Sequence, residues 1–147
     1  DAHHGDGTQS IFYDRADVLT LSVHVDTDAY YPFFTGRIHE RGRGEGEGFN
    51  LNLPMPPGTG FDVWRAALGK AMERIARFDP GLVIVSLGVD TFEKDPISFF
   101  KLTSNDFSTM GADIAALGLP TLFLMEGGYA VEEVGINTIN VLEGFCV

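Results

Sequence analysis

The sequence contains little cysteine and little positive charge, and each shortage excludes a class of protein. Its one cysteine, Cys146, excludes a disulfide bond within the chain and fits a reducing compartment, so we predict a cytoplasmic location. Ten Lys and Arg residues face 21 Asp and Glu residues, a formal net charge of −11 at pH 7. We predict no nucleic-acid binding, because phosphate binding needs clustered positive charge. The acidity would attract cationic small molecules, although it also serves solubility.

Long apolar runs are absent as well. No stretch of about 18 consecutive apolar residues exists and no signal-like leader precedes a cleavage site, so we predict neither a membrane span nor a signal peptide in these residues. The 147 residues, 44% of them apolar, supply enough material for the core of one compact domain. We expect the chain to be a fragment, since it begins with Asp1 instead of a methionine.

Apolar runs and turn residues alternate along the chain in the order expected of an α/β fold. Runs rich in apolar and β-branched residues predict strands at residues 18–25, 49–53, 82–87 and 121–125. Helical periodicity, with Asp62 and Ser104 as expected N-caps, predicts helices at residues 62–78, 104–117 and 131–145. The last two apolar runs are typical of strands buried on both faces of a parallel sheet. We predict a parallel sheet covered by helices on both faces, forming a single domain over residues 1–147.

One loop has an unusual composition. Residues 41–48 read RGRGEGEG, so that every second side chain is missing. Such a segment permits either a close approach of the backbone or flexibility. We expect flexibility.

Polar residues collect where a core does not need them, at residues 1–7, 88–90 and 127–129. Two of these places follow predicted strands, and ligands bind outside the carboxyl ends of the strands in such sheets. If Asp1 and His3 lie on extended backbone, their side chains point the same way, and Asp90 could supply a third ligand. One nitrogen and two carboxylate oxygens form an acceptable catalytic zinc site.

The same residues allow a plainer interpretation. Asp-x-His is a short pattern, and an aspartate after a strand, such as Asp90, often only caps the next helix. Tyr129, in a Gly-Gly-Tyr loop, could pack with its hydroxyl at the surface. Spacing alone leaves both interpretations open.

Four longer segments carry a family resemblance: DAHHGDGTQSIFY (1–13), GEGFNLNLP (46–54), SLGVDTFEKDPISFFKLT (86–103) and MEGGYAVEEVGIN (125–137). In this order and spacing they resemble the histone deacetylase superfamily, and most closely its bacterial acetylpolyamine amidohydrolases. The resemblance covers essentially all 147 residues. It implies an open α/β fold of the arginase-deacetylase type.

The resemblance also implies roles in catalysis. By it, Asp1, His3 and Asp90 are the ligands of one zinc ion. Tyr129 matches the tyrosine that polarises the acetyl carbonyl of the substrate. His4 matches a family residue without a ligand role.

Further positions match residues around the family's active site. Tyr31 stands where the family usually has a channel phenylalanine, and Asp6 matches a carboxylate that orients a catalytic histidine. The backbone of Ser22 and Val23 falls in a segment that binds a structural potassium ion in relatives. The implied substrate channel is lined by Tyr31, Ile97, Gly127 and Gly128.

One difference from arginases and one departure from the deacetylase pattern bear on the activity. Arginases share the fold and the Asp-Ala-His motif, but they place a second carboxylate two residues after the histidine. Gly5 occupies that position and cannot bridge two metals, so a single metal is favoured. The family's tandem histidine pair, its general base and acid, is not in these residues, and we expect it upstream. The isolated chain is therefore expected to be inactive or nearly so.

The resemblance thus implies hydrolysis of acetylpolyamines to polyamine and acetate. The expected partners are a cationic acetylated small molecule and a second copy of the protein in a homodimer. Protein acetyl-lysine deacetylation is the alternative, since the same chemistry serves both, and a non-catalytic role of the fragment is a third. Zinc and ferrous iron both tolerate these ligands.

Overall fold

A computed structural model describes residues 1–146 of the chain. Its strands are β1 (Thr20–Val25), β2 (Asn50–Met55), β3 (Val83–Leu87) and β4 (Thr121–Met125). Its α-helices are α1 (Asp6–Phe12), α2 (Phe61–Phe78), α3 (Ser104–Ala115) and α4 (Val134–Cys146). The chain forms two compact units, which we call unit 1 (residues 1–2 and 58–146) and unit 2 (residues 3–57).

Both strand pairs are parallel, which confirms the predicted type of sheet. In unit 2, β1 pairs with β2, and in unit 1, β3 pairs with β4. Each pair is joined by a connection that crosses over before the second strand, as parallel pairing requires. None of the helices in residues 1–146 combines the length and apolarity that crossing a bilayer would require.

The second strand of unit 2 runs further than expected. The prediction that it ends before Pro54 was wrong, because β2 continues to Met55 with Pro54 opposite His24 in the register. Proline removes one N–H donor, and a strand with a single neighbour can place that position on its open side. The sequence interpretation also missed α1, a seven-residue helix whose only buried residue is Gln9, so it shows no apolar stripe.

Two of the glycines in residues 41–48, Gly42 and Gly46, serve close backbone approach, which argues against the flexibility we expected. Gly42 has φ +101°, and a side chain there would overlap the carbonyl of Gly46. A side chain at Gly46 would overlap the backbone of residues 13–15. Hydrogen bonds hold the loop, among them Gly48 N–H to Arg41 O at 2.7 Å and Arg43 N–H to Tyr13 O at 2.9 Å. The loop is therefore a packed backbone turn.

The first helix of unit 1 matches its prediction except at its start. Gly60 is the N-cap of α2, so the expectation that Asp62 caps it was wrong. Asp62 lies in the first turn, where a negative charge favours the helix dipole. The helix ends at Phe78, and Asp79 continues in the left-handed conformation with φ +54°. The buried residues of this helix are Trp64, Ala67, Leu68, Ala71 and Ile75.

Helices α3 and α4 pack closely against each other. The N-cap of α3 is Thr103, in a capping box with Asp106, and not Ser104 as expected. Added side chains at Gly111 and Gly144 would overlap the backbone of the opposite helix. The last helix begins at Val134, later than expected, because residues 130–133 form a turn.

The sheet of unit 1 is covered on one face. Phe123 of β4 meets Phe145 of α4 edge to face, with ring centroids 5.1 Å apart. On the other face, Ile84, Leu122 and Leu124 are 58%, 47% and 44% exposed. The prediction that both runs are buried on both faces was wrong for this structure, because α4 covers only the face that bears Phe123.

Candidate metal centre

The carboxyl end of β3 leads into a buried aspartate. After Leu87 come Gly88, Val89 and Asp90, and the Asp90 side chain is fully buried. One of its carboxylate oxygens, Oδ1, accepts a hydrogen bond from the N–H of Ala2 at 2.7 Å. The main-chain nitrogen of Asp1 donates to the carbonyl of Gly88 at 3.0 Å. Residues 1–2 therefore lie along the loop that carries Asp90.

Gly127, just after β4, touches both of these carboxylate groups. Its N–H donates to Oδ2 of Asp1 at 3.1 Å, and its carbonyl accepts from the N–H of Val89 at 2.7 Å. A side chain at Gly127 would overlap the Asp90 carboxylate and come within 2.9 Å of Oδ2 of Asp1. A side chain at Gly88 would overlap Asp1. Glycine is required at both positions for the backbone to approach the carboxylates this closely.

The three predicted ligands offer atoms to a common point. Asp1, His3 and Asp90 each provide one potential ligand atom, and these atoms lie within 4.8 Å of one another. Two carboxylates at this distance, one of them fully buried, repel each other, and a divalent cation would offset that repulsion. One imidazole nitrogen and two carboxylate oxygens suit zinc, and also ferrous iron. The donor set therefore fits the predicted metal.

The imidazole of His3 lies against two tyrosines of unit 2. Tyr30 is buried and stacks on the His3 ring with centroids 4.8 Å apart and an angle of 24°. Tyr31 presents its edge at 6.2 Å and is 58% exposed. Stacking of this kind restricts the orientation of the imidazole. Sequence reasoning named Tyr31 but missed Tyr30, because nothing in the spacing distinguishes two adjacent tyrosines.

The Gly-Gly-Tyr segment follows Gly127 directly. Gly128 has φ +155°, and a side chain there would meet the methyl groups of Val89 and Val134. Tyr129 is 51% exposed, which is the surface position that the plainer interpretation also allowed. The N–H of Tyr129 donates to Oδ2 of Asp95 at 2.6 Å. The catalytic role of Tyr129 stays a prediction.

Asp95 is a second site residue that sequence reasoning missed. It is only 6% exposed, and it accepts hydrogen bonds from the backbone of Tyr129, Ala130 and Ile97. Ile97 itself is 40% exposed, and its role in lining a channel stays a prediction. The sequence marks Asp95 only by the proline that follows it in the segment 86–103, and an Asp-Pro pair is typical of a turn rather than of a functional site.

The remaining predicted site residues lie in unit 2. Asp6 is the first residue of α1 and is half-buried. Ser22 lies in the middle of β1, where its hydroxyl oxygen accepts a hydrogen bond from Gly5 N–H at 3.3 Å. Val23 follows Ser22 in the same strand. The orienting role of Asp6 and the potassium site at Ser22 and Val23 stay predictions.

A buried amide network occupies the space beside β1 and β2; we define it as His4, Gln9, Asn50 and Asn52. Nε2 of His4 lies 3.0 Å from Oε1 of Gln9 and 3.1 Å from Oδ1 of Asn52, so Nε2 carries the proton and donates. The side-chain amides of Asn50 and Asn52 donate to the same Gln9 oxygen at 2.9 and 2.8 Å. Nε2 of His4 is thus part of the amide network, and the expectation that His4 is not a metal ligand stays a prediction.

His24 and Glu40 border the amide network. Burial lowers the pKa of the His24 imidazole from 6.5 to about 4, so the ring is neutral near pH 7. Its Nε2 donates to the carbonyl of Gly36 at 3.0 Å. Burial raises the pKa of Glu40, but hydrogen bonds from Gln9, Gly36 and Thr35 outweigh it and hold that pKa below its ordinary value. The carboxylate of Glu40 is thus kept ionised by its donors.

Comparison with known proteins identifies relatives over nearly the whole chain. Residues 1–145 match a family model described as the histone deacetylase domain. Acetylpolyamine amidohydrolase 1 of Pseudomonas aeruginosa is 57% identical over 145 residues, which are 99% of this chain and 42% of that protein. Acetylpolyamine amidohydrolase of Mycoplana ramosa is 55% identical over 144 residues, 98% of this chain and 42% of that protein.

A solved structure shows the same fold. The crystal structure of acetylpolyamine aminohydrolase from Burkholderia pseudomallei superposes with a TM-score of 0.97 at 42% identity. The match covers 99% of this chain and 42% of that one. The chain thus spans about 42% of the length of the curated relatives described above.

Proposed function

Because the chain belongs to the histone deacetylase domain family, we propose that the protein containing it hydrolyses acetylated amines, with acetylpolyamines as preferred substrates. Water adds to the acetyl carbon, the carbon–nitrogen bond breaks, and acetate and the free amine leave. The observation that carries this proposal is the convergence of Asp1, His3 and Asp90 on one point in a chain 57% identical to a protein named acetylpolyamine amidohydrolase 1.

We assign Asp1, His3 and Asp90 as the ligands of one zinc ion. When bound, zinc polarises a carbonyl oxygen and lowers the pKa of a water molecule. Oδ1 of Asp90 is oriented by Ala2 N–H, and Oδ2 of Asp1 by Gly127 N–H. Such partners around ligand side chains typically fix ligand orientation and raise metal affinity.

Tyr129 acts on the substrate oxygen in this proposal. Its hydroxyl donates a hydrogen bond to the acetyl oxygen as negative charge develops there. Its 51% exposure supports contact with a bound substrate. The tandem histidine pair expected upstream of this chain moves the proton from water to the leaving amine. Asp6 orients one histidine of that pair.

The substrate preference rests on charge and on the relatives. A net charge of −11 favours a cationic amine over an anionic one. The proposed channel is lined by Tyr31, Ile97, Gly127 and Gly128. A cytoplasmic location, a homodimer and a structural potassium ion at Ser22 and Val23 complete the proposal and follow from the family resemblance and from the single cysteine.

The experiment that tests this function compares two substrates. Acetate release by the full-length protein that contains this chain is measured with N-acetylputrescine and with an acetyl-lysine peptide. We expect much faster release from N-acetylputrescine. Faster release from the peptide would instead make the protein a lysine deacetylase. Release from neither substrate would overturn the proposed activity.

The role of Tyr129 is tested in the same protein. We expect Tyr129→Phe to lower turnover about a hundredfold or more, because one donor to the developing negative charge is lost. Tyr13→Phe, at the C-terminal end of α1, is the matched control and should leave turnover unchanged. Metal content should be the same in both variants. Wild-type turnover in Tyr129→Phe would remove Tyr129 from the mechanism.

A further inference from the structure

The carboxylate of Asp95 joins two loops of unit 1. One oxygen, Oδ1, accepts from the N–H of Ile97 at 3.0 Å. The other, Oδ2, accepts from the consecutive N–H groups of Tyr129 and Ala130 at 2.6 and 3.1 Å. Consecutive N–H groups that point at one oxygen form a concave anion site, and hydrogen bonds to a charged acceptor are stronger than neutral ones. One carboxylate oxygen of Asp95 therefore binds the backbone of its own loop, and the other binds the backbone of the loop that contains Tyr129 and Ala130.

Asp95 is itself firmly placed. Its N–H donates to the carbonyl of Phe92 at 3.0 Å, and Phe92 forms a parallel bridge with Leu102. Glu93 N–H donates to Leu102 O at 2.8 Å. The side chains of Phe92 and Leu102 are 3% and 0% exposed. The loop that carries Asp95 is thus anchored in the core, and its carboxylate is a fixed point.

The loop at residues 127–130, which carries Tyr129, depends on its hydrogen bonds to the Asp95 carboxylate. Two glycines, Gly127 and Gly128, precede Tyr129. Gly127 is held by hydrogen bonds to Asp1 and Val89, whereas Gly128, with φ +155°, adopts a backbone conformation that favours glycine. The side chain of Tyr129 is half-exposed, so its own packing restrains the loop less than that of a buried side chain would. The hydrogen bonds of Tyr129 and Ala130 to Asp95 come directly after Gly128, where they restrict the direction in which the tyrosine leaves the backbone.

We propose that Asp95 is the positioning residue for Tyr129: its buried carboxylate fixes the backbone of Tyr129 and Ala130 and so aims the tyrosine hydroxyl at the acetyl oxygen. This inference rests on the proposed function. Asp95 does not touch the substrate; it acts through Tyr129. The other oxygen of Asp95 binds the backbone N–H of Ile97, a proposed channel residue. One carboxylate therefore fixes the backbone positions of both Ile97 and Tyr129.

The first test is Asp95→Asn in the full-length protein. The amide turns an NH2 group toward the N–H donors on one side, and the loss of negative charge weakens the hydrogen bonds that its oxygen accepts on the other side, so the hold on Tyr129 and Ala130 weakens in either orientation. We expect kcat to fall about 10- to 100-fold, the range produced by losing a hydrogen bond to a charged group, with KM nearly unchanged. Zinc content should stay at the wild-type level, because Asp95 is not a ligand. Wild-type kcat would overturn the proposal.

A double-mutant cycle separates positioning from a general structural role. If Asp95 acts through Tyr129, adding Asp95→Asn to Tyr129→Phe should cost less than about threefold in kcat, because the hydroxyl to be aimed is already gone. A general structural defect would instead slow Tyr129→Phe by the same factor as it slows the wild type. That additive result would overturn the proposal.

Amide hydrogen exchange tests the contact without any substrate. We expect Asp95→Asn to speed exchange of the Tyr129 and Ala130 amides at least tenfold, and unchanged exchange would overturn the inference. This readout is independent of activity, so failure of the proposed function and failure of this inference give different results. Asp106→Asn is the matched control, since Asp106 also accepts a backbone N–H but does so at the start of α3.

The fold of each variant is checked by thermal unfolding. Should Asp95→Asn not fold, the cycle and the exchange measurement are repeated with Asp95→Glu. That variant keeps the buried charge and displaces it by one methylene. We expect a smaller fall in kcat than with asparagine, and again little further loss in the Tyr129→Phe background. Additive losses would overturn the proposal in this variant as well.

Discussion

Two buried polar clusters in this chain are held together in different ways. The carboxylate cluster of unit 1 consists of Asp1, Asp90 and Asp95, and each of these carboxylates accepts a hydrogen bond from a backbone N–H group. The amide network of unit 2, by contrast, is joined by hydrogen bonds between its own side chains. Carboxylates only accept hydrogen bonds, whereas amides and a neutral imidazole both donate and accept.

This difference in hydrogen-bonding partners indicates different roles for the two clusters, a binding site for the carboxylates and a structural role for the amide network. A set of neutral groups that donate and accept can satisfy itself, and it then fixes the strands that carry it. A set of carboxylates has to take its hydrogen-bond donors from the backbone, and in the proposed function a cation near Asp1 and Asp90 offsets the negative charge of these two side chains. We therefore expect changes at Asp1 and Asp90, the two carboxylates of the proposed metal site, to act on metal affinity and changes in the amide network to act on stability.

The largest expected effect on the metal comes from Asp90→Asn. The amide oxygen can still accept from Ala2 N–H, so the fold should persist while the charged ligand is lost. We expect zinc affinity to fall by about a hundredfold or more, above the 10- to 100-fold typical of changes outside the ligands. Elemental analysis after dialysis against a competing chelator measures it. Asp62→Asn, exposed in the first turn of α2, is the control.

Full zinc content in the Asp90→Asn protein would contradict the ligand assignment. It would also remove the distinction drawn between the two clusters, because Asp90 would then be a buried structural acceptor for Ala2 N–H.

A smaller loss of metal is expected from Gly127→Ala. The added methyl group would overlap the Asp90 carboxylate, so the ligands must move apart without being removed. We expect a fall in zinc affinity of about 10- to 100-fold, as for other changes that disturb ligand orientation. Gly135→Ala is the matched control, because Gly135 is exposed on α4 and has no atom near the added methyl group. Equal affinity in the two variants would refute the role given to Gly127.

The smallest effect on the metal is expected from Asn52→Ala in the amide network. Asn52 is 1% exposed and bonds to His4, Gln9 and the carbonyl of Arg37. Its loss leaves buried polar groups without a partner, which should lower the free energy of unfolding by about 2–3 kcal/mol. Zinc affinity should change less than about twofold. Denaturant unfolding and metal titration measure the two quantities, with exposed Asn105→Ala as the control.

A large loss of zinc in Asn52→Ala, or no loss of stability, would show that the two clusters do not divide in the way described. The first result would make the amide network part of the metal site, and the second would make it a solvated surface feature.

Periodicity predicted most of the fold. Strands β1, β3 and β4 and helices α2 and α3 lie where apolar runs and helical spacing indicate, because side-chain patterns report which face is covered. It failed for α1, which is too short and polar to show a stripe. It also failed for the caps of α2 and α3, because capping depends on which backbone N–H groups a neighbour can reach.

The candidate site was predictable in part, from the family resemblance. The family resemblance named Asp1, His3 and Asp90, and the structure brings their ligand atoms together. The resemblance to the histone deacetylase family is itself confirmed by the match over residues 1–145. Asp95 and Tyr30 were not found, because an aspartate in a turn and one tyrosine of a pair carry no mark of what they contact.

The sequence by itself determined the kind of fold and the chemistry available to it: parallel strands with helices between them, an aspartate that follows a strand, an Asp-x-His motif, and glycines beside them. These follow from residue type and order, which set local conformation and donor chemistry. Only the tertiary structure decided that Gly127 lies against two carboxylates and that Asp95 receives the N–H groups of Tyr129 and Ala130. Such contacts join residues more than thirty positions apart, and no local pattern records which distant backbone group will meet which side chain.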